Sequence, residues 1–208
     1  MSSQAVTRIH PRPSRRQQRK DEIRRRIVDA ALCVFEQRGM TATKVEDLLQ
    51  AASVSRATFY SQFTSKQDVA RAIVADMWSR AANLYTDFAR LPDVSASSIR
   101  GWLASVFNAW QLHRDSMSTM LRELLAEISA DSRERHELLV ASLIGDGRHW
   151  QHLSREETRR RAHLLIFQLE RTMTAFHIEG WAEDRDALLD TLTQIWTSTI
   201  HSGPKNLP

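Results

Sequence analysis

The sequence predicts an all-α fold in two parts, a compact cluster of short helices near the N-terminus and a larger helical body behind it. Three observations predict this. Apolar residues recur at three- and four-residue spacing and nowhere alternate as half-buried strands do. Glycine and proline are scarce, 6 and 5 among 208 residues, so little interrupts the helices. Three capping signals crowd into about 25 residues, whereas later ones lie much further apart.

Residues 1–20 hold Pro11, Pro13 and several arginines with little to bury, and read as a flexible basic arm. Through residue 26, nine basic residues face only Asp21 and Glu22; this end carries +7, and with a total of +4 the rest sums to −3. A basic end on a slightly acidic body suits a polyanion partner, although a solubilising tail has the same composition. A membrane anchor is disfavoured, because the arm lacks apolar residues.

The first helix is expected to start near Asp21 or Glu22, where acids favour the positive end of the helix dipole. Ile27, Ala30, Ala31, Val34 and Phe35 form its buried stripe, and Gly39 stops it. Thr43-Lys44-Val45-Glu46 has the T-x-x-E form of a capping box and opens a second helix carrying Val45, Leu48, Leu49 and Ala52. Ser53-Val54-Ser55 makes a tight turn, and Ser55 caps a third helix ending near Phe63. Ser65, with Asp68 three residues on, caps a fourth that continues to about Arg90 and places a domain boundary near residue 66.

Longer helices follow. Ile99, Trp102, Leu103, Val106, Phe107 and Trp110 share one face. Met117, Met120, Leu121, Leu124, Leu125 and Ile128 make another amphipathic segment, and residues 133–144 a further helix broken by Gly145-Asp146-Gly147. Ser154-Arg155-Glu156-Glu157 is a capping box for a helix running to Gly180, and a last helix spans about 184–201. The 42% hydrophobic content suffices for one sizeable core or two small ones. The domains are therefore expected at 1–20, 21–66 and 67–208.

Leu48, Leu49, Val54, Phe59 and Phe63 would hold the third helix against the first two, leaving Arg56, Ala57, Thr58, Tyr60, Ser61 and Gln62 outward. Such a set suits the major groove, with arginine for guanine edges, small residues for close approach and hydroxyls for phosphates. Thr43 and Lys66 fall at helix N-termini, where backbone N–H groups favour phosphate. Spacing alone also allows a plain corner of a helical bundle.

The run from Thr43 to Lys66, TKVEDLLQAASVSRATFYSQFTSK, together with the preceding helix through Phe35 and Gly39, resembles the DNA-binding signature of the TetR family over about residues 22–75. The resemblance implies an N-terminal three-helix helix-turn-helix domain followed by a C-terminal helical domain for ligand binding and dimerisation. It implies phosphate contacts from Thr43, Tyr60 and Lys66 and base contacts from Arg56, Ala57 and Ser61. Lys44, Ser55 and Thr58 join this expected surface, as do Arg15, Arg16 and Arg19 of the basic end. Two positions depart from the family pattern: Ser53 stands where glycine is usual and Ala57 where it is frequent. A serine there loses turn stability if positive φ is required.

The family also implies a two-fold homodimer built on the last two helices, released from operator DNA when a small molecule binds. Leu165, Leu169, Met173, Phe176, Leu188, Leu192 and Ile195 supply apolar surface on those helices, but periodicity leaves open which face a partner and which the protomer's own core. The expected interface set is Leu165, Leu169, Phe176, Leu188, Leu192 and Ile195. A weaker similarity, in Ser55–Tyr60, Glu170-Arg171-Thr172 and 194–200, is to the ethionamide-resistance repressor subgroup, with its long apolar tunnel walled by aromatics. Trp102 and Trp196 fall where tunnel residues are expected, whereas Ile166 and Leu169 replace amide positions. The expected ligand set is Trp102, Phe107, Trp110, Met117, Leu121, Phe167, Glu170, Met173 and Trp196, although such faces are more often simply core. Glu170 and His177, seven apart, share a helical face, as ligand-orienting groups or as a surface pair.

Little else carries chemistry. His149 and His152 lack a completing carboxylate or thiol, so no metal or cofactor is expected. No glycine-rich phosphate loop, nucleophile elbow or catalytic carboxylate pair occurs, which argues against an enzyme. The single cysteine, Cys33, excludes an intrachain disulfide and reads as a packing residue. No apolar run approaches the roughly 18 residues of a membrane span, and no signal core is present, so a soluble cytoplasmic protein is expected. The sequence thus points to a regulator whose partners are double-stranded DNA, a second copy of itself and a small effector. The rival is a sequence-tolerant architectural DNA binder without an effector.

Overall fold

A computed structural model describes residues 14–115, 118 and 132–203, and everything described is helix, turn or loop. The helices are α1 (Arg15–Arg38), α2 (Val45–Ala52), α3 (Arg56–Tyr60), α4 (Lys66–Ala89), α5 (Ala96–Leu112), α6 (Ser132–Ile144), α7 (Arg155–His177) and α8 (Arg185–His201). A 3-10 turn, Arg148–Trp150, separates α6 from α7. Met117 and residues 119–128 of the expected amphipathic segment, Leu121 among them, and the first thirteen residues of the arm lie outside the described residues.

Most boundaries follow from capping chemistry legible in the sequence. Ser55, Ser65, Ser95 and Ser154 each accept the third following backbone N–H on Oγ, and Asp184 does the same with its carboxylate. Gly39 closes α1 at φ 77°. Two starts differ from expectation. Helix α1 begins at Arg15 rather than near Asp21, because Ser14 Oγ accepts from Gln17 N–H (3.2 Å) and Gln17 bonds to Asp21 (2.8 Å). Arg15 to Lys20 are thus helical. The second capping box sits one residue late: Asp47, not Glu46, reaches back to the N–H of Lys44 (2.8 Å).

Two hydrophobic cores result. The first joins Ile27, Ala31 and Phe35 of α1, Leu48 and Ala52 of α2, Phe59 and Phe63, and Val69, Ala70, Ile73 and Val74 of α4. Burying each of its phenylalanines stabilises the head by about 1.5–3 kcal/mol. The second joins the C-terminal half of α4 to α5, α6, α7 and α8, centred on Phe88, Leu103, Leu139, Ile166 and Trp196. Both clusters reach Trp78, so the change of core falls midway along α4, well past the expected boundary at residue 66. One unbroken helix therefore carries the head on the body. Arg100, paired with Asp186 (3.2 Å) and Asp190 (2.7 Å), ties α5 to α8.

Gly145 is fixed by contact as well as by conformation. At φ 58°, an added Cβ would lie 2.5 Å from the Cβ of Ala89, where α6 ends against the last turn of α4. Cys33 is exposed, contrary to expectation: the buried stripe of α1 runs through Ile27, Ala31 and Phe35, and Cys33 lies on the opposite side.

Candidate DNA interface and ligand domain

Helix α3 is one and a half turns long and is held from beneath by Phe59 and Phe63, 0% and 3% exposed. Arg24 of α1 stands over the Phe63 ring at 4.3 Å and donates to the carbonyl of Gln62 (3.1 Å), pinning the end of the helix-turn-helix to α1. Arg38 and Asp47 (3.0 Å) join α1 to α2. Sequence reasoning missed both pins; a basic residue flanking an apolar stripe was their only signal.

The outward side of α3 presents Arg56, Ala57, Tyr60 and Ser61, all exposed, with Thr58 half-buried. Ser55 and Thr58 hydroxyls bond to each other (2.8 Å), and Ser61 Oγ donates to the Thr58 carbonyl (2.7 Å), so these groups are oriented before any ligand arrives. The Arg56 guanidinium pairs with Glu46 of α2, whose carboxyl is held below its usual range by a backbone hydrogen bond first and by Arg56 second. Both partners are exposed, so this pair contributes little to stability. Lys44 is exposed beside the start of α2, and Arg15, Arg16 and Arg19 are exposed on the first turns of α1.

Two expected phosphate contacts are engaged internally instead. Thr43 is buried, and its hydroxyl donates to the carbonyl of Gly39 (2.8 Å). Lys66 Nζ donates to the carbonyls of Met40 (2.8 Å), Thr41 (3.1 Å) and Thr43 (2.7 Å). An ammonium has three hydrogens, so this set leaves none for a phosphate. The reason is the α1–α2 turn, which has carbonyls without helical partners and finds them in the first residue of α4. Ser53 takes φ 51°, ψ 49°. It is the one non-glycine residue at positive φ among the described residues.

In the body, the expected ligand and interface sets redistribute. Trp102 and Trp196 face each other at 4.8 Å between centroids, with Phe88 edge-on to both. Their N–H groups are satisfied by Leu84 O (2.8 Å) and Gln168 Oε1 (3.1 Å). Trp102 is 5% exposed and Trp196 fully buried, so both belong to the core of the body. Phe167 is 55% exposed and stacks on His136 at 4.1 Å, away from any interior. Leu165, Leu169, Leu188 and Leu192 are buried in the protomer's own core, and Phe176 packs against Phe107. Of the expected interface set, Ile195 is exposed; Leu164 and Phe167, absent from that set, join it as exposed apolar residues on α7 and α8.

Phe107 and Trp110 of α5 meet His177 of α7, which lies four residues beyond Met173 and seven beyond Glu170 on the same helix. Met173 is fully buried, and Phe107 and Trp110 lie 5.7 and 6.2 Å from the ring of His177. Burial pushes the Glu170 carboxyl up to about 7, and Tyr85 of α4, which the sequence did not single out, senses its charge. Among the described residues no three histidine, cysteine or carboxylate side chains could hold a metal ion, and no helix is long and apolar enough to cross a membrane.

A short reading helix, braced by two others and carried on a separate helical body, defines a helix-turn-helix transcriptional regulator. Comparison with known proteins gives the family. The model of bacterial regulatory proteins of the tetR family matches residues 27–73. The HTH-type transcriptional regulator TtgW of Pseudomonas putida is 33% identical over 104 residues, half of this chain and 72% of that one. The regulator SrpR, also of Pseudomonas putida, is 32% identical over 105 residues, half of this chain but only 46% of SrpR. The protein belongs to the TetR family of transcriptional regulators, a family of DNA-binding proteins rather than enzymes. The fold agrees along most of the chain. A TetR-family regulator from Mesorhizobium loti superposes with a TM-score of 0.66, covering 88% of this chain and 96% of that one at 17% identity. FadR of Thermus thermophilus, a repressor in complex with lauroyl-CoA, gives 0.58 over 89% and 98% at 18% identity.

Proposed function

We propose that the protein is a repressor that binds a two-fold symmetric operator as a homodimer and leaves it when a small, largely apolar ligand enters the C-terminal domain. The observation that carries this reading is the outward face of α3: exposed Arg56, Ala57, Tyr60 and Ser61 on a head with its own core. Arg56 is assigned to a base edge, Ala57 to close approach, and Tyr60 and Lys44 to phosphates. Arg15, Arg16 and Arg19 add further phosphate contacts, which makes affinity steeply salt-dependent. A second copy is the occupant assigned to Leu164, Phe167 and Ile195, which leave apolar surface on the two helices that complete the body. The effector is assigned to the side of the body bearing Glu170, Met173, Phe107 and Trp110. The Thermus thermophilus repressor with its lauroyl-CoA offers a precedent on this fold for a ligand with a long apolar chain.

Release requires the ligand to favour the state that does not bind DNA, since equal affinity for both states shifts nothing. The test is selection of random duplex DNA at near-physiological salt, followed by sequencing. The expected result is an inverted repeat, with half-sites about one helical turn apart. Retention with no enriched sequence would overturn the operator reading in favour of an architectural binder. With the selected duplex, Arg56→Ala is expected to cost about 1–3 kcal/mol of specific binding and much less of nonspecific binding.

A further inference from the structure

A cleft of about 500 Å³ lies at the corner where α6 ends, the 3-10 turn follows and α7 begins. Its lining runs from Glu137 to Arg159, so it is separate from the side of the body bearing Phe107, Trp110 and Glu170. The volume is that of a small-molecule site. Val140, Ile144 and Leu153 supply apolar walls, and Val140, Trp150 and Thr158 are the most deeply buried of its lining residues.

The corner is held from two sides, so the cleft exists before any ligand arrives. Gly145 seats it on the last turn of α4 with no room for a methyl, since an added Cβ would meet that of Ala89. His152 Nε2 donates to the carbonyl of Ile200 (2.7 Å) and Arg161 Nη1 to that of Thr199 (2.6 Å), tying the turn and the start of α7 to α8. A site fixed in this way gives up little freedom on binding.

Two observations set the chemistry of the occupant. The first is the charge left open. Glu137 pairs with Arg159 (2.6 Å) and Asp146 with Arg148 (3.0 Å), while Glu156 and Glu157 in the first turn of α7 pair with Arg160 and Arg161. Arg155 also lines the cleft from that turn, and among the described residues it pairs with no carboxylate. The second is an open donor. Trp150 is 2% exposed, and its Nε1–H finds no acceptor among the described residues. A buried donor left without an acceptor is rare in a native interior.

An amine would be repelled by Arg155, and a purely apolar ligand would leave both the guanidinium and the indole unanswered. We propose that the cleft is a binding site for a small apolar carboxylate bearing one further acceptor oxygen. The carboxylate pairs with Arg155, the apolar body lies along Val140, Ile144 and Leu153, and the second oxygen accepts from Trp150 Nε1–H. This site goes beyond the repressor reading and does not depend on it.

The test is calorimetric titration of the full chain with 4-butoxybenzoate, the matching benzamide and the matching benzylammonium. The carboxylate is expected to bind tightest. Arg155→Gln, at an exposed position, should weaken it about tenfold and bring it level with the amide. Ala141→Phe, at an exposed lining position, should fill the cleft and abolish binding. In 4-pentylbenzoate a methylene replaces the ether oxygen, and about fivefold weaker binding is expected. Trp150→Phe keeps a ring in place but removes the donor, and should erase that difference. Tighter binding of the amide or the ammonium, wild-type affinity in Arg155→Gln or Ala141→Phe, or failure of all three probes to bind overturns the proposal. An ether preference that survives Trp150→Phe overturns the assignment of the second oxygen. No arm of the test involves DNA, so each of these failures leaves the operator reading standing.

Discussion

Replacing Lys66 by methionine separates two roles that lysines at helix N-termini are easily confused between. The side chain keeps its length but loses the ammonium that holds the carbonyls of Met40, Thr41 and Thr43. Hydrogen bonds to a charged group contribute about 1.5–3 kcal/mol each at most, and three sharing one half-buried ammonium do not add in full. A loss of about 2 kcal/mol is therefore expected. In a chain of this size, that lowers Tm by roughly 4–8 °C in a thermal unfolding scan. The same variant makes a second statement about DNA. If the ammonium stays in the turn when the operator binds, the number of neutralised phosphates does not change, and the slope of log K against log salt is unaltered. If it moves to a phosphate, the slope falls by about 0.9 per protomer. An unchanged Tm with a shallower slope would refute the internal role; a lower Tm with an unaltered slope is the expected pair of results.

Ser53→Gly should stabilise the head by about 0.5–1 kcal/mol, because a left-handed conformation that costs a side chain about 1–2 kcal/mol is nearly free for glycine, which gives part of the gain back as chain entropy. Chemical denaturation of the two proteins measures it, and a destabilised variant would show that the serine side chain contributes more than its backbone costs. Glu170→Gln should change stability in a pH-dependent way. With the folded pKa raised to about 7 from 4.5, the folded state holds the proton more tightly, so wild-type stability is full below pH 4.5 and is lost as pH rises through 7. The glutamine variant should match wild type near pH 4 and exceed it at pH 8 by up to about 3 kcal/mol, and parallel stability profiles would remove the buried charge from the account.

The helix-turn-helix was legible because short-range chemistry dictates it. Ser55, Ser65 and Ser154 cap where capping sequences occur, and Gly39 takes the positive φ that ends α1. Local signals failed where two local solutions compete. Thr43 and Lys44 both precede α2, and the choice between them is made by Asp47 reaching Lys44 and by the Gly39 carbonyl drawing Thr43 inward. The larger gap lies in α7 and α8. Their apolar residues recur around more than one side, so periodicity marks Leu165, Leu169, Leu188 and Leu192 as apolar surface without saying that α5 and α6 cover it. Trp102 and Trp196 are similar: spacing puts each on an inner face, and their contact with each other decides that they fill space rather than line it. Tyr85 gave no signal at all, since its burial against Trp102 arises only when α4 packs on α5.

The exposed position of Cys33 has a practical consequence. It is the single cysteine of the chain, and it lies on α1, within the reading head and away from that head's core. A thiol-specific spin label would therefore attach once per protomer without mutagenesis, and a symmetric pair of protomers would carry one label on each head. The dipolar coupling between the labels would then act as a ruler across the two-fold axis. It would read the spacing of the heads in the free, DNA-bound and ligand-bound forms of the natural sequence.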